Sequence, residues 1–338
     1  MKAIEVLDSK FTDIHWQEFA KLLENLHEKY NSFHNRVTWE RKKDTLLSVY
    51  EMDKTQHRYI IFDDNKITGW LDFHIQNKGT KSELAFIGFD GMYDEFPDEF
   101  SHIAASTLLQ LAKKHNCEKM YIMSNNQRSS KVARDWGGTE ICIINRYELR
   151  RRDTENKLLE LWVNNGKRQN PDLTMKFFTE PPEEILERYV ELLCQCLNDM
   201  PHENESETQF LPTIEELKKF AEWRKKNNKT MSSMMLYSPE DTLIGFSDVS
   251  IDKDNPSNVF QLLTGIDREY RGRKLSKWLK AANIMKIYED FPENKLITTD
   301  MRAVNRPIQK INEQLGYRLV SEGNEFDLTS QMLINWLT

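Results

Sequence analysis

Ile266-Asp-Arg-Glu-Tyr-Arg-Gly-Arg-Lys-Leu-Ser-Lys-Trp-Leu-Lys280 is the stretch whose reading decides the fold. An apolar run, Val259–Thr264, precedes it and reads as a buried strand. Leu275, Trp278, Leu279, Ala282, Met285 and Tyr288 then recur at the spacing of one helix face. Strand, glycine-containing basic loop and helix together aim backbone N–H groups at an anion, because a helix start leaves its first donors unpaired and carries partial positive charge. Arg268, Arg271, Arg273, Lys274, Lys277 and Lys280 crowd the stretch against only Asp267 and Glu269, in a chain whose net charge is −7. Bare basic residues at a helix start oppose its dipole, so a phosphate-bearing ligand is the reading that accounts for them.

Working outward, two halves of the chain repeat one order of elements. The first reads strand (Ala3–Leu7), helices (His15–Tyr30, Trp39–Tyr50), and strands (Arg58–Phe62, Ile67–Ile75, Glu83–Phe89). It goes on with a helix (Phe96–His115), a strand (Lys119–Ser124), a short helix (Ser129–Trp136) and a strand (Glu140–Leu149). A charged connection with a helical segment around Leu158–Val163 ends in the polar, breaker-rich Asn164–Pro171. The second half repeats the pattern from the strand Leu173–Thr179 to the strand Tyr317–Asp327, with Thr213 and Glu216 spaced as a capping box. The expected architecture is α/β: residues 1–152 as one domain, 153–171 as a linker with a helical segment, and 172–338 as a second domain. Each domain is a mixed, mostly antiparallel sheet flanked by helices.

Composition sets the bounds. At 338 residues with 39% hydrophobic and 30% charged residues, the chain can bury a sizeable core and reads as globular. Charge enters the N-terminal residues too early for a signal-peptide core and no apolar run reaches membrane-spanning length, so a cytoplasmic protein without a membrane partner is expected. The acidic balance argues against a nucleic-acid partner. Among the four cysteines, Cys194 and Cys196 lie two apart in a helical run and point to different faces, so all four read as plain thiols. His15, His27, His34, His57, His74, His102 and His115 show no spacing with carboxylates that would hold a metal, and no metal is expected.

The second half resembles the GCN5-related N-acetyltransferase (GNAT) family, and the whole chain resembles a tandem of two such domains. The family's cofactor motif is arginine or glutamine, two residues, glycine, one residue, then glycine or alanine. Here Arg271, Lys274 and Ser276 stand at those positions, with Gly272 after the arginine, so both glycine slots are substituted. The pattern continues through Leu275, Leu279 and Lys280, and Asn305-x-x-Ile308-x-x-Ile311-Asn312-x-x-Leu315-Gly316-Tyr317 is similar to the family's second signature. Asp199-Met-Pro201 is similar to a loop of tandem members of the mycothiol synthase kind.

The resemblance implies acetyl-CoA as co-substrate and direct attack by an amine of a small molecule or peptide. Its pyrophosphate is expected on the backbone of Arg273–Ser276, and its thioester carbonyl near the N–H groups of Leu263, Thr264 and Ile266. The expected cofactor contacts are thus Leu263, Thr264, Ile266, Arg271, Gly272, Arg273, Lys274, Leu275, Ser276, Asn305 and Asn312. Many members carry an acid tyrosine where this chain has Asn312, and Tyr317 is the alternative acid. His202 and Glu203, with Glu205 and Glu207 in the same loop, are candidates to draw in and deprotonate the amine, and Asp248 is a further candidate base.

The corresponding loop of the first half, Phe89–Phe100, holds Asp90, Asp94, Glu95, Asp98 and Glu99 and no base. It would repel a pyrophosphate, so the first half is expected to be a degenerate copy without coenzyme A. A homodimer is left open. Two other classes stay beside the transferase: a non-catalytic acyl-CoA-binding or interaction module, and a scaffold that binds no cofactor.

Overall fold

A computed structural model describes residues 1–7, 11–30, 38–52, 55–78, 81–124, 126–201 and 211–338. The chain forms two compact units, Met1–Ile144 with Ser321–Thr338, and Asn145–Val320.

The first unit runs β1 (Lys2–Glu5), α1 (Asp13–Tyr30), α2 (Trp39–Met52), β2 (Gln56–Asp63), β3 (Lys66–Lys78) and β4 (Lys81–Gly91). Then come α3 (Asp98–Lys114), β5 (Cys117–Ser124), α4 (Gln127–Asp135) and the beginning of β6 (Thr139–Arg150). Asp63 pairs with Lys66 across a two-residue turn in which Asp64 takes φ 52°, the left-handed conformation that suits the twist of a hairpin. Strand alternation divides the apolar residues between two faces. Ile60 and Phe62 pack with Trp16, Phe19 and Leu22 of α1, while Ile61 joins Leu71, Phe73, Phe100, Leu108 and Ile122 on the face of α3.

The second unit takes the end of β6, then α5 (Asn156–Gln169), β7 (Thr174–Phe178), α6 (Leu186–Asn198), α7 (Ile214–Lys226), β8 (Lys229–Tyr237) and β9 (Leu243–Asp252). It continues with β10 (Asn258–Ile266), α8 (Leu275–Asp290), β11 (Leu296–Arg302) and α9 (Arg306–Leu315). Its strand order is β6-β11-β10-β9-β8-β7. The pairs β7–β8, β8–β9 and β9–β10 are antiparallel, and β10 and β11 are parallel. The capping box at Thr213 and Glu216 forms as the spacing predicts. The chain ends with β12 (Arg318–Thr329) and α10 (Ser330–Leu337).

Two expected boundaries are corrected. Residues 153–171 are not a linker: α5 runs through the polar stretch to Gln169, buries Leu159 with Ala281 and Ile284 of α8, and so belongs to the second unit. Residues 321–338 do not close the second domain. β12 pairs antiparallel with β5 over Asn324–Thr329, and α10 buries Leu333 in the core around Phe100 and Ile122, so this segment completes the first unit. No helix was expected after Asp327, yet Thr329 caps α10 by accepting from the Met332 N–H.

Gly166 lets α5 approach α8 closely, because a Cβ there would lie 2.3 Å from the Trp278 ring, which is itself buried. Alanine would gain ~1 kcal/mol of helix propensity, but overpacking against a rigid ring costs about 1–3 kcal/mol. Gly166→Ala is therefore expected to lower the urea midpoint, and a stability equal to or above that of the parent would contradict this packing.

Candidate functional site

The site begins with a break in strand register. Between β10 and β9, Gln261 faces Val249 and Thr264 faces Ser247, so Leu262 and Leu263 together oppose only Asp248. This is a β-bulge, which bends its strand. Buried Gln261 holds the bulge by donating from Nε2 to the Asp248 carbonyl at 2.7 Å, and Thr264 Oγ1 meets Ser247 Oγ at 3.0 Å. On its other side β10 pairs with β11 only at Asn258–Phe260. Thr299 Oγ1 donates to the Gln261 carbonyl at 3.1 Å, and beyond that point the strands part. A cleft of about 330 Å³ opens between Leu262–Ile266 and Thr299–Arg302. Among the described residues the strand edges facing it have no ladder partner there, so an extended ligand can take up their backbone groups.

The loop into α8 is shaped by two left-handed residues, Gly272 at φ 82° and Lys274 at φ 61°. A Cβ on Gly272 would meet nothing within 4 Å, so the glycine serves its backbone angle rather than close packing. Lys274 is the residue before the helix, and it stands in a slot where the resembled motif has glycine. The left-handed conformation persists there despite a cost of about 1–2 kcal/mol for a residue with a Cβ. α8 begins with no side-chain cap and no acid in its first turn, so its leading N–H groups are left for an anion.

Arg271 donates from Nε to the Ile266 carbonyl at 3.0 Å and from Nη2 to Asp199 at 2.7 Å. Arg268 also reaches Asp199, and Arg268 foremost, with Arg271, holds that carboxyl below its usual range. Asp199 thus sits where an anionic ligand would meet these two guanidinium groups.

Of the expected contacts, Leu263, Thr264, Ile266, Arg271, Ser276, Asn305 and Asn312 line the cleft. Gly272 and Lys274 shape the loop without lining it. Leu275 is buried in the core with Leu236 and Leu279. Arg273 turns away, donating to Asn170 at 2.9 Å and lying over the Tyr270 ring. Tyr317 is buried among Leu149, Tyr288 and Leu315, and burial pushes its hydroxyl far up. It does not face the cleft, so it cannot protonate anything bound there. Asp248 is likewise 2% exposed. Its carboxyl accepts from Ser233 and from Tyr189 of α6 at 2.5 Å, and burial raises it to about 6 against the pull of those two donors. It ties α6 to the sheet beneath the bulge. His202 and Glu203, with Glu205 and Glu207, lie outside the described residues.

Two features escaped the sequence reading. Cys196 lines the cleft, but burial pushes its thiol up to about 11, so it stays protonated. Lys280 also lines the cleft, is 1% exposed, and has the Tyr317 ring 5.4 Å from its ammonium. Burial alone pushes it down to about 7. In the sequence it is one of six bases, and only its place beside Leu279 on the apolar stripe hinted at a different setting. Among the described residues no group of three or more histidine, cysteine or acidic side chains could hold a metal.

The corresponding helix start in the first unit is built differently. Asp98 and Glu99 occupy the first turn of α3, and Asp90 pairs with Arg128 at 2.6 Å. Phe96 and Phe100 stack 4.6 Å apart beside Phe89 and Tyr93.

No protein-family model matches the sequence, and no curated protein matches it. Solved structures do. A tandem GNAT protein from the clavulanic acid biosynthesis pathway matches at TM-score 0.75 and 13% identity, over 97% of this chain and 99% of that one. The chain has the tandem GNAT fold. A GCN5-related N-acetyltransferase from Sphaerobacter thermophilus gives TM-score 0.63 at 10% identity, over 97% and 96% of the two chains. A GCN5-related glucosamine N-acetyltransferase region of a fungal multidomain β-N-acetylglucosaminidase gives 0.64 at 10%, over 96% of this chain and 38% of that one. The cleft between β10 and β11 and the start of α8 hold residues at which the resemblance led one to expect cofactor contacts.

A lysine held near 7 in the fold and at its usual 10.5 when unfolded works against stability wherever it must stay protonated. The unfolded chain keeps the proton between those values while the folded chain loses it, so parental stability rises with pH across that window. Lys280→Met is expected to raise stability by roughly 3–5 kcal/mol at neutral pH and below. The gain should shrink toward pH 10, and a thermal-melt series that shows no gain at neutral pH would contradict the buried charge.

Proposed function

We propose that the chain is an acetyl-CoA-dependent N-acetyltransferase whose second unit transfers the acetyl group to a primary amine of a small molecule or peptide. Attack is direct, in a ternary complex. The observation that carries this reading is the junction of the bulged, splayed β10 edge with an uncapped, basic helix start in one cleft. A long ligand with an anion at one end and an amide-bearing arm fits such a junction, and coenzyme A has that build.

Arg271, the Ser276 hydroxyl and the leading N–H groups of α8 would hold the pyrophosphate, with Arg271 leaving Asp199 to do so. The edge Leu262–Ile266 would bind the arm by strand-like hydrogen bonds, and N–H groups at the bulge would polarise the thioester carbonyl. The bound thioester supplies an activated acyl group, so the protein needs no covalent nucleophile, and the protonated Cys196 fits that economy. Glucosamine, named for one protein of similar fold, belongs to that protein, and the acceptor here is proposed only as a class. The acids at the start of α3 support reading the first unit as a copy without a coenzyme A site.

Acetyl-CoA is expected to raise the melting temperature of the native protein, since a ligand that prefers the folded state must stabilise it. Arg271→Ala should weaken that binding by about ten- to a hundredfold, the worth of a charge-assisted hydrogen bond. No stabilisation of the wild type would sink the proposal. Binding without thiol release over a broad amine panel would favour a non-catalytic acyl-CoA-binding module instead.

A further inference from the structure

The basic residues around α8 are not equivalent. Arg268 and Arg271 have Asp199, Arg273 has Asn170 and Asp172, and Lys277 donates to Gln314 at 2.6 Å. Lys280 is different: it is 1% exposed, and among the described residues no carboxylate lies within ion-pair distance of it. A well-packed apolar side chain of similar volume would serve the core better, because a buried, unpaired ammonium is costly. An amine held in this way at the edge of a cleft calls for a task.

Its position suggests the task. Ser276 and Lys280 are four residues apart on α8, hence on one face and about 6 Å apart along the axis. Both line the cleft, so Lys280 lies one turn deeper than the anion-binding start. Across from it on α9 is Asn312, whose Nδ2 donates to Met301 Sδ at 3.4 Å and whose Oδ1 is buried with no partner among the described residues. An amide has no proton to give to a leaving group. Tyr317 lies against the Lys280 ammonium but does not line the cleft.

On the acyltransferase reading above, we propose that Lys280 is the proton donor to the departing thiolate in the second unit. The acceptor amine forms the new C–N bond with its lone pair. The C–S bond breaks with its electron pair leaving on sulfur, and Lys280 gives that sulfur a proton. The proton shed by the new amide nitrogen then restores the Lys280 ammonium, so the products are an amide and a neutral thiol. A donor near 7 is well matched to this work at neutral pH.

Among the described residues, the other charged groups lining the cleft leave the role to Lys280. Asp199 is engaged by two arginines and Asp300 by Arg146 at 2.7 Å. Arg271 and Arg302 do not release protons in this range, and the Cys196 thiol and Tyr317 hydroxyl are both pushed up.

The test compares wild type with Lys280→Met, which keeps length and bulk and removes an unfavourable buried charge, so folding is not at risk. Coenzyme A bound to the wild type should show ultraviolet thiolate absorbance at lower pH than when bound to Lys280→Met, because a neighbouring ammonium favours the anion. Desulfo-coenzyme A should bind both proteins equally. The kcat of Lys280→Met should fall by about a hundredfold with little change in KM for acetyl-CoA. The variant should also lose the decline in rate that the wild type shows as pH rises past Lys280. The same thiol ionisation in both proteins would overturn the proposal, as would an unchanged kcat and pH profile, or the acetyl group found by mass on Lys280 itself. A wild type that binds no acetyl-CoA overturns this inference and the transferase reading together, whereas normal wild-type binding and turnover with no effect of Lys280→Met overturns this inference alone.

Discussion

Two residues of β10 facing one of β9 is the constraint on which the second unit's cleft depends. Leu262 and Leu263 stand opposite Asp248 alone, and the strand must bend to accommodate them. Had the ladder with β11 continued past Phe260, the gap would be closed by backbone hydrogen bonds. Instead Thr299 Oγ1 takes the Gln261 carbonyl and ends the pairing. The buried side chain of Gln261 holds the opposite residue of the bulge, and the buried Asp248 carboxyl below it secures α6 through Tyr189. A loss of strand pairing is thereby turned into a rigid, open edge, with polar side chains satisfying groups that a regular sheet would have paired.

The electrostatics follow from where the opened edge leads. β10 runs into a loop whose left-handed residues turn the chain so that α8 starts at the mouth of the cleft, uncapped and without acids. Arg268 and Arg271 share Asp199, an aspartate beyond the end of α6, which leaves an exchangeable ion-paired cluster with one net positive charge rather than a bare patch. The first unit solves the same junction in the opposite sense. Acids in the first turn of α3 complement its dipole, and packed aromatics occupy the loop. One order of elements thus carries an uncapped helix start without acids in one unit and an acidic helix start in the other.

Much of this was legible in the chain. The two signatures, Arg271–Lys280 and Asn305–Tyr317, pointed to the fold, and the alternation of apolar residues placed the strands and helices around them. The roles of single residues were less legible. Tyr317 and Asn312 are five apart at the end of the same helix signature, and only packing shows that the first is core and the second faces the cleft. Lys280 reads as one more surface base until its burial is known. The linker reading of 153–171 failed because Gly166 suggests a breaker in sequence, whereas in the fold its missing side chain is what admits the Trp278 ring.

The sequence by itself determined the order of elements, their duplication, and the charge contrast between two helix starts. These are local properties, set by periodicity, capping and composition. Tertiary structure alone decided that the last strand and helix complete the first unit, that Asn312 lines the cleft while Tyr317 does not, and that one of the six bases, Lys280, is buried beside the site. Each of those depends on which distant segments meet, through strand pairing such as Asn324–Thr329 with Lys119–Ser124 or packing such as Lys280 over Tyr317. No local pattern encodes the desolvation that follows from such meetings.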